Sequence, residues 1–254
     1  MSSIIYGPVP SWRLGRSLGI DLLSTKGKTC SFDCIYCQLG KTVHPLTERR
    51  EFVSLGRLAT ELERVKGIAA DYATFSGVGE PTLAYNLGEA IKLVKATREL
   101  PVAVLTNSSL MVREDVRREL SLADVVVAKV DAPSEELFRQ INQPAVECTL
   151  DEIIRAITLF REGYRGKLAL QIMFIEANKG CASEMARLAE QFSPDEVQLN
   201  TPLRPSSVKP LTPAEIAAIR REFTSLPKVI TVYEAPKLDV TPLNLMATLR
   251  RRPR

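Results

Sequence analysis

Residues 30–37 read Cys-Ser-Phe-Asp-Cys-Ile-Tyr-Cys, so three cysteines are spaced as Cys-x3-Cys-x2-Cys. Thiolates at this spacing can face one metal centre from a single loop, and iron–sulfur clusters are normally bound by cysteine sulfur. In a cluster of four irons, three cysteines leave one iron open for a substrate or cosubstrate. A zinc site is the alternative, because His44, the single histidine of the chain, could supply a fourth ligand. The cysteines alone leave both alternatives open.

The composition narrows the class of protein. The five cysteines do not form a secreted disulfide pattern, because their number is odd and three of them lie within eight residues. We therefore expect a reducing, cytoplasmic location, which an oxygen-sensitive cluster also needs. Apolar runs are strand-sized, far short of the ~20 residues that span a bilayer, so no membrane contact is expected. A net charge of +4 is too small to indicate nucleic acid by itself.

Strand-like apolar runs alternate with amphipathic helical patterns along the whole chain. Six strands are predicted, at residues 18–23, 72–76, 102–105, 125–128, 168–175 and 197–199, and 229–232 is a candidate for a seventh. Three pairs of residues have the spacing of a helix capping box: Asn86 and Glu89, Thr149 and Glu152, and Thr212 and Glu215. Continuous apolar strands are typical of parallel strands covered on both faces. The repeat predicts a single α/β domain, either a barrel or a doubly wound sheet.

The two ends of the chain differ from this repeat. Residues 1–16 are irregular and contain Arg13 and Arg16, which either bind an anion or form surface ion pairs. Four arginines crowd the last five residues, and such a tail is typically solvated unless its cations are positioned on phosphates. We therefore divide the chain into an N-terminal arm (1–16), a barrel (17–235) and a basic C-terminal tail (236–254).

Polar residues follow the predicted strands directly, as they do at the carboxyl ends that line barrel active sites. Residues 76–82 after the second strand read Ser-Gly-Val-Gly-Glu-Pro-Thr, residues 106–108 after the third read Thr-Asn-Ser, and residues 129–131 after the fourth read Lys-Val-Asp. The glycines let a ligand approach bare backbone, and Glu80 can accept hydrogen bonds from an ammonium group. Each motif also has a structural alternative: a simple turn, a helix cap and an ion pair, respectively.

The order of these motifs resembles the radical S-adenosylmethionine (SAM) enzymes over roughly residues 17–205. The resemblance implies a partial (β/α)6 TIM-like barrel of parallel strands. It also implies a [4Fe–4S] cluster on Cys30, Cys34 and Cys37, with SAM bound to the fourth iron. A one-electron donor of flavodoxin or ferredoxin type would reduce the cluster. SAM would then be cleaved to a 5′-deoxyadenosyl radical that abstracts hydrogen from a substrate.

The same resemblance places the cofactor contacts residue by residue. It implies Tyr36 at the adenine, Gly77, Gly79 and Glu80 at the methionine amino group, Thr106 and Asn107 at the ribose, Lys129 or Asp131 at the carboxylate or ribose, and Asn200 to Leu203 along the adenine. No residue is assigned as a catalytic acid or base.

Residues 8–21 and 29–40 resemble a branch grouped with the wyosine-type tRNA synthases. The second-cluster cysteines of those synthases are absent from residues 1–29. The substrate is therefore either a tRNA base or a small metabolite, and the basic residues Lys41, Arg49 and Arg50 slightly favour a phosphate-bearing one. Members of this branch continue past a similar C-terminus into a helix-turn-helix-like segment, which implies a truncated sequence here.

Two other functions compete with this interpretation. An activase that makes a glycyl radical on a partner protein would have a similar compact size, but its typical glycine-rich arm is not convincingly matched. A metal-stabilised nucleic-acid-binding module without catalysis would make the motifs after the strands coincidental.

Overall fold

The computed structural model describes residues 3–234 and 238–253. The strands in these residues are β1 Ile5–Ser11, β2 Gly15–Ile20, β3 Lys28–Cys30, β4 Thr42–Pro45, β5 Tyr72–Phe75, β6 Val102–Thr106, β7 Val125–Lys129, β8 Lys167–Met173, β9 Glu196–Asn200 and β10 Val229–Thr231. The α-helices are α1 Leu55–Arg64, α2 Leu87–Thr97, α3 Glu114–Leu120, α4 Glu135–Asn142, α5 Leu150–Gly163, α6 Ala182–Gln191, α7 Pro213–Arg220 and α8 Leu245–Arg251.

Eight strands form one sheet in the order β1-β2-β5-β6-β7-β8-β9-β10. All neighbours from β2 to β10 are parallel, and β1 at the edge runs antiparallel to β2. The sheet is curled into a half-barrel. A contact across its concave face shows the curl: Arg13, in the turn between β1 and β2, reaches Gln171 in β8, which is the fourth strand after β2 in the sheet. The prediction of a single α/β domain with a partial barrel of parallel strands is confirmed.

The two faces of the sheet carry different residues, because side chains alternate along each strand. On the outer face, Val104, Val126 and Leu168 pack with the helices in the main core. On the inner face, Val127 and Ala169 form a separate apolar cluster with Leu14, which comes from the turn between β1 and β2. This cluster closes the floor of the half-barrel at the amino-terminal ends of the strands. The polar ends of the strands lie at the opposite end.

The predicted strands and helix caps agree with the structure in most places. Both threonine pairs form reciprocal capping boxes on α5 and α7. Asn86 is a correction, because its side chain makes no cap and its Nδ2 donates instead to the carbonyl of Val53 at 2.9 Å. The first strand of the repeat runs from Gly15 to Ile20 rather than over residues 18–23. It ends there because Asp21 accepts hydrogen bonds from the next backbone N–H groups and turns the chain.

Among the strands and α-helices of the described residues, sequence analysis missed β1 and α8 near the two ends and three short elements between them. The strands β3 and β4 pair with each other in a small second sheet, and neither has an apolar alternation that would indicate a strand. The helix α4 is capped by the side chain of the preceding residue, Ser134, and buries Phe138 and Ile141. A helical period was therefore present there, but it spans too few residues to stand out.

Both ends of the chain are built into the fold. The predicted arm contributes β1, which pairs with β2 along the sheet edge. The predicted tail contains α8, which packs against β1 through Ala247 and hydrogen-bonds to it at Gly7. Arg251 is fully buried in this contact, so the expectation of a solvated tail is wrong for this arginine. The expected boundary at residues 235–236 lies outside the described residues.

None of the helices in the described residues is long and apolar enough to cross a membrane.

Candidate active site

The cysteine loop connects β3 to β4 and is held by backbone hydrogen bonds on both sides. Cys30 is buried at the end of β3, while Cys34 and Cys37 are partly buried in the loop. The backbone N–H of Ile35 donates to the carbonyl of Ile141 at the end of α4, at 3.0 Å. The packing of the barrel against the loop therefore fixes where the three thiols point.

The buried ammonium group of Lys28 reaches into the cysteine loop. Lys28 is 4% exposed, and its Nζ lies 3.6 Å from Asp33 Oδ1 and 3.5 Å from the carbonyl oxygen of Gly40. Burial opposes the charged form, but the nearby Cys37, Cys30 and Cys34 raise the pKa of Lys28 above its usual value. A positive charge at this position suits a metal cluster that carries net negative charge with its thiolate ligands.

Two side-chain amides donate to the sulfurs. Asn107 Nδ2 lies 3.5 Å from Cys30 Sγ, and Asn142 Nδ2 lies 3.5 Å from Cys34 Sγ. Burial, with Glu80 nearby, raises the pKa of Cys30 to about 12, and burial also raises the pKa of Cys34. Both thiols are therefore protonated at neutral pH in the free protein, whereas a bound metal deprotonates a ligating thiol. The donor set fits a cluster bound by three thiolates.

The zinc alternative relies on His44, which lies on the exposed strand β4. Its Nε2 is 3.1 Å from the carbonyl oxygen of Lys26. Within residues 3–234 and 238–253, no three His, Cys, Asp or Glu side chains are close enough to share a single metal ion. A four-iron cluster does not require the three sulfurs to contact one metal ion, because each thiolate binds a different iron.

The Gly-Glu turn after β5, residues 77–80, lies directly against β3, the strand that ends at Cys30. The backbone N–H of Thr29 donates to Val78 at 2.9 Å, and the N–H of Glu80 donates back to Thr29 at 3.1 Å. A Cβ atom on Gly79 would lie 1.6 Å from the carbonyl oxygen of Thr29, so only glycine permits this approach. A Cβ atom on Gly77 would likewise lie 2.3 Å from the carboxylate of Asp21.

The carboxylate of Glu80 ties the ends of β5 and β6 together. Its Oε1 accepts from Thr106 Oγ1 at 2.7 Å and from the N–H and hydroxyl of Thr82 at 3.1 and 2.7 Å. Its Oε2 accepts from the backbone N–H of Asn107 at 2.7 Å. Burial raises the pKa of Glu80, and these hydrogen bonds oppose the rise. Three of the predicted cofactor residues thus come together, and Oε2 retains capacity for a further donor.

A second group gathers around Asp131 at the end of β7. Tyr36 donates its hydroxyl to Asp131 Oδ2, and Lys129 Nζ lies 3.0 Å from Oδ1. The same ammonium is 4.4 Å from the centre of the Tyr36 ring. Burial and the neighbouring Asp131 raise the pKa of Tyr36 well above its usual value. The ion pair that sequence analysis allowed is therefore present, and only one donor position of the Lys129 ammonium is used by Asp131.

Asn142 links this group to the cluster loop, and sequence analysis missed it. Its Nδ2 lies 2.7 Å from Asp131 Oδ2, 3.1 Å from the hydroxyl of Tyr36 and 3.5 Å from Cys34 Sγ. Sequence analysis did not single out Asn142, because it lies at the end of α4 and this helix was not predicted.

The last predicted contacts, Asn200 and Leu203, follow β9. Asn200 Oδ1 accepts from the backbone N–H of Thr201 at 2.9 Å, and Leu203 is 50% exposed. The next residue, Arg204, donates to Gln38 Oε1 at 2.6 Å, directly after the third cysteine. This segment therefore lies beside the cysteine loop.

Comparison with known proteins identifies the family. The Radical SAM superfamily model matches residues 25–189. The chain belongs to this superfamily. It is 38% identical over 235 residues to the UPF0026 protein MJ1312 of Methanocaldococcus jannaschii, a match that covers 90% of the chain and 72% of that relative. It is 40% identical over 208 residues to the UPF0026 protein slr1464 of Synechocystis sp., covering 82% of the chain and 77% of that relative.

Solved structures of radical SAM enzymes share the fold. SuiB of Streptococcus suis bound to S-adenosylmethionine matches with a TM-score of 0.64 at 14% identity, covering 81% of the chain. The chain spans only 48% of the length of SuiB. TYW1 with a lysine-pyruvate adduct bound matches with a TM-score of 0.62 at 16% identity, covering 83% of the chain and 73% of TYW1.

Membership confirms the predicted resemblance. Radical SAM enzymes use a [4Fe–4S] cluster and SAM, so these are the cofactors of this enzyme. The non-catalytic alternative is therefore set aside. The assignment of individual residues to the cofactors and the choice of substrate stay predictions.

Proposed function

We propose that this radical SAM enzyme binds its [4Fe–4S] cluster through Cys30, Cys34 and Cys37 and abstracts a hydrogen atom from its substrate. The observation that supports this assignment is that the cysteine loop lies next to the Gly-Glu turn, with Lys28 reaching into it and the amides of Asn107 and Asn142 donating to its sulfurs. The cluster, when bound, supplies the electron that cleaves SAM into methionine and the 5′-deoxyadenosyl radical. The protein binds and orients the reactants and keeps water from the radical.

The side chains around the thiols balance the charge of the site. Lys28 contributes a buried cation, and the amides of Asn107 and Asn142 donate to thiolate sulfur. Such contacts from beyond the ligands orient them and tune the potential of a cluster. They also hold the loop in the shape that the barrel imposes.

The Gly-Glu turn and the Asp131 group bind SAM in this proposal. Glu80 Oε2 accepts from the methionine amino group, and Gly77 and Gly79 let the ligand approach the backbone. The remaining ammonium donors of Lys129 bind the methionine carboxylate or the ribose, while Asp131 keeps Lys129 in place.

The nucleoside part of SAM lies against the remaining predicted residues. The ring of Tyr36 and the backbone from Asn200 to Leu203 would hold the adenine. Thr106 and Asn107 would lie next to the ribose; in this structure Thr106 Oγ1 and the backbone N–H of Asn107 donate to Glu80, while the Asn107 amide donates to Cys30 and Ser31.

The reaction also needs a one-electron donor of flavodoxin or ferredoxin type and a substrate, for which a tRNA base and a small metabolite are the candidates. The cytoplasm is the compartment that suits both the cluster and its reductant.

The first experiment is anaerobic purification with iron and sulfide analysis, followed by addition of dithionite and SAM and an assay for 5′-deoxyadenosine. We expect iron and sulfide in equal amounts and nucleoside formation that depends on the cluster. Cys34→Ala should abolish both, because it removes one of three iron ligands. Cys181→Ala is the matched control, since this partly buried cysteine directly precedes α6 and is not a predicted cluster ligand, and it should behave like the wild type.

Stoichiometric zinc without iron, or equal nucleoside formation by the Cys34→Ala variant, would overturn the assignment.

A further inference from the structure

Arg13 has no role in the proposed chemistry, although it points into the barrel. It lies in the turn between β1 and β2, where sequence analysis allowed either anion binding or a surface ion pair. Arg16, three residues later, forms the ion pair, with Nη2 2.7 Å from Asp71 Oδ1 at the surface. Arg13 turns inward instead, and its Nη1 donates to Gln171 Oε1 on the inner face of β8 at 2.5 Å.

The guanidinium of Arg13 has no counter-ion among the described residues. No carboxylate there forms an ion pair with it, and its Nε is buried without a hydrogen-bond partner. Glu196 attracts it, but Glu196 Oε2 already binds Lys167 and Lys228, each at 2.8 Å. Burial and the neighbouring Arg252 lower the pKa of Arg13 to about 10, which leaves it charged at neutral pH. An unpaired charge in a concave interior is costly unless a ligand neutralises it.

The surroundings of Arg13 are suited to a polar ligand. In the sheet register Gln171 lies between Lys129 of β7 and Gln198 of β9, so all three belong to the same layer of the inner face. Gln198 Oε1 is also buried without a partner. Below this layer, Leu14 and its apolar neighbours close the floor. Lys129 of this layer precedes Asp131 by two residues, so the layer lies between Asp131 and the floor of the half-barrel. SAM is predicted to bind at Asp131.

We propose that Arg13 binds the carboxylate or phosphate group of a small metabolite inside the half-barrel. Nη1 is used by Gln171, so Nη2 remains for a charge-assisted hydrogen bond with a ligand oxygen. The buried Nε and Gln198 Oε1 have no partner among the described residues, and a ligand that displaces the atoms covering them would satisfy both. That this ligand is the substrate rests on the proposed function, whereas anion binding by Arg13 does not.

The depth of Arg13 favours a small metabolite over a tRNA base. A base that enters the barrel is an uncharged ring, and its phosphates stay outside with the backbone. The basic residues after the cysteine loop, which slightly favoured a phosphate-bearing substrate in the sequence, also give less support to phosphate contacts at the surface. Arg49 is 6% exposed in its side chain and pairs with Asp115 and Glu119, and Arg50 lies over the ring of Phe52 at 4.8 Å.

The test measures binding of malonate and of inorganic phosphate to the anaerobically purified chain at constant ionic strength, by calorimetry and by the shift of melting temperature. Malonate represents a carboxylate ligand and phosphate a phosphoryl ligand, so the stronger of the two identifies the group. We expect saturable binding that Arg13→Gln weakens at least about tenfold, since a charge-assisted contact is lost. Arg16→Gln removes the same charge three residues away and should bind like the wild type.

Circular dichroism shows whether Arg13→Gln folds. If it does not, Arg13→Lys replaces it in the binding test. It keeps the charge but loses the guanidinium geometry, so its affinity should lie below that of the wild type. Equal affinity in the wild type and the Arg13 variants, or no saturable binding of either anion, would overturn the proposal. So would tight tRNA binding that depends on Arg13 in a protein that binds neither anion.

A loss of SAM affinity without a loss of anion affinity in an Arg13 variant would assign Arg13 to the cofactor and also overturn the proposal. The binding assay contains neither SAM nor reductant. It therefore tests the anion site even if the wild type forms no 5′-deoxyadenosine, and the two proposals fail separately.

Discussion

At the scale of single residues, Glu80 is the side chain on which cofactor binding depends most directly. Four protein donors already bind its carboxylate, and within residues 3–234 and 238–253 Oε2 accepts only from Asn107. We expect Glu80→Gln to weaken SAM binding at least about tenfold, because the attraction between carboxylate and ammonium is replaced by a neutral contact. Equilibrium dialysis of SAM against the cluster-loaded protein measures the change.

Glu89→Gln is the control for this prediction, because Glu89 is exposed in the first turn of α2. It should leave the dissociation constant of SAM unchanged. Iron content must be equal in all the proteins compared, since Glu80 also ties the turn to β6. An unchanged affinity in Glu80→Gln at equal iron content would remove Glu80 from the proposed site.

At the scale of elements, helix α8 is connected to the candidate site by a buried ion pair. Arg251 Nε lies 2.7 Å from Asp21 Oδ2, and both side chains are almost fully buried. Asp21 in turn lies against Gly77. Removing one partner of a buried ion pair leaves the other charge uncompensated, at a cost of about 3–5 kcal/mol. We therefore expect Arg251→Met to lower the free energy of unfolding by about that amount in urea denaturation.

Met246→Ala changes the same helix at a side chain that is 75% exposed, and it should alter stability by no more than about 0.5 kcal/mol. Adding Asp21→Asn to Arg251→Met should recover part of the loss, because the unpaired charge is removed. If the double variant is less stable than Arg251→Met by the full additive amount, the ion pair does not account for the loss.

At the scale of the whole molecule, we expect the fold not to depend on the cluster. The main core is built from the outer face of the sheet and the helices, and the floor from Leu14 and its inner-face neighbours. Chelation of iron from the anaerobic protein should therefore leave the far-ultraviolet circular dichroism spectrum unchanged. It should lower the melting temperature, because a ligand that binds only the folded state stabilises it.

The Cys34→Ala variant is the control here, since it should melt at the temperature of the iron-free wild type and not respond to the chelator. Unfolding on removal of iron would show that the cysteine loop carries the stability of the barrel.

The sequence by itself determined the repeat of strands and helices, the two threonine capping boxes and the cysteine spacing. These features depend on neighbours within a few residues, where periodicity and side-chain type suffice. The order of the motifs after the strands also determined the family, because parallel strands bring their carboxyl ends to one edge.

Only the tertiary structure decided which charges are paired. Arg13 and Gln171 are 158 residues apart in the chain, and Arg251 and Asp21 are 230 apart. From sequence, Arg13 and Arg16 were equivalent, and Arg251 was one of several arginines in a solvated tail. Asn142 was not visible as a site residue at all. The physical reason is that the free energy of a charged side chain depends on its burial and its partners, and both are set by contacts between distant segments.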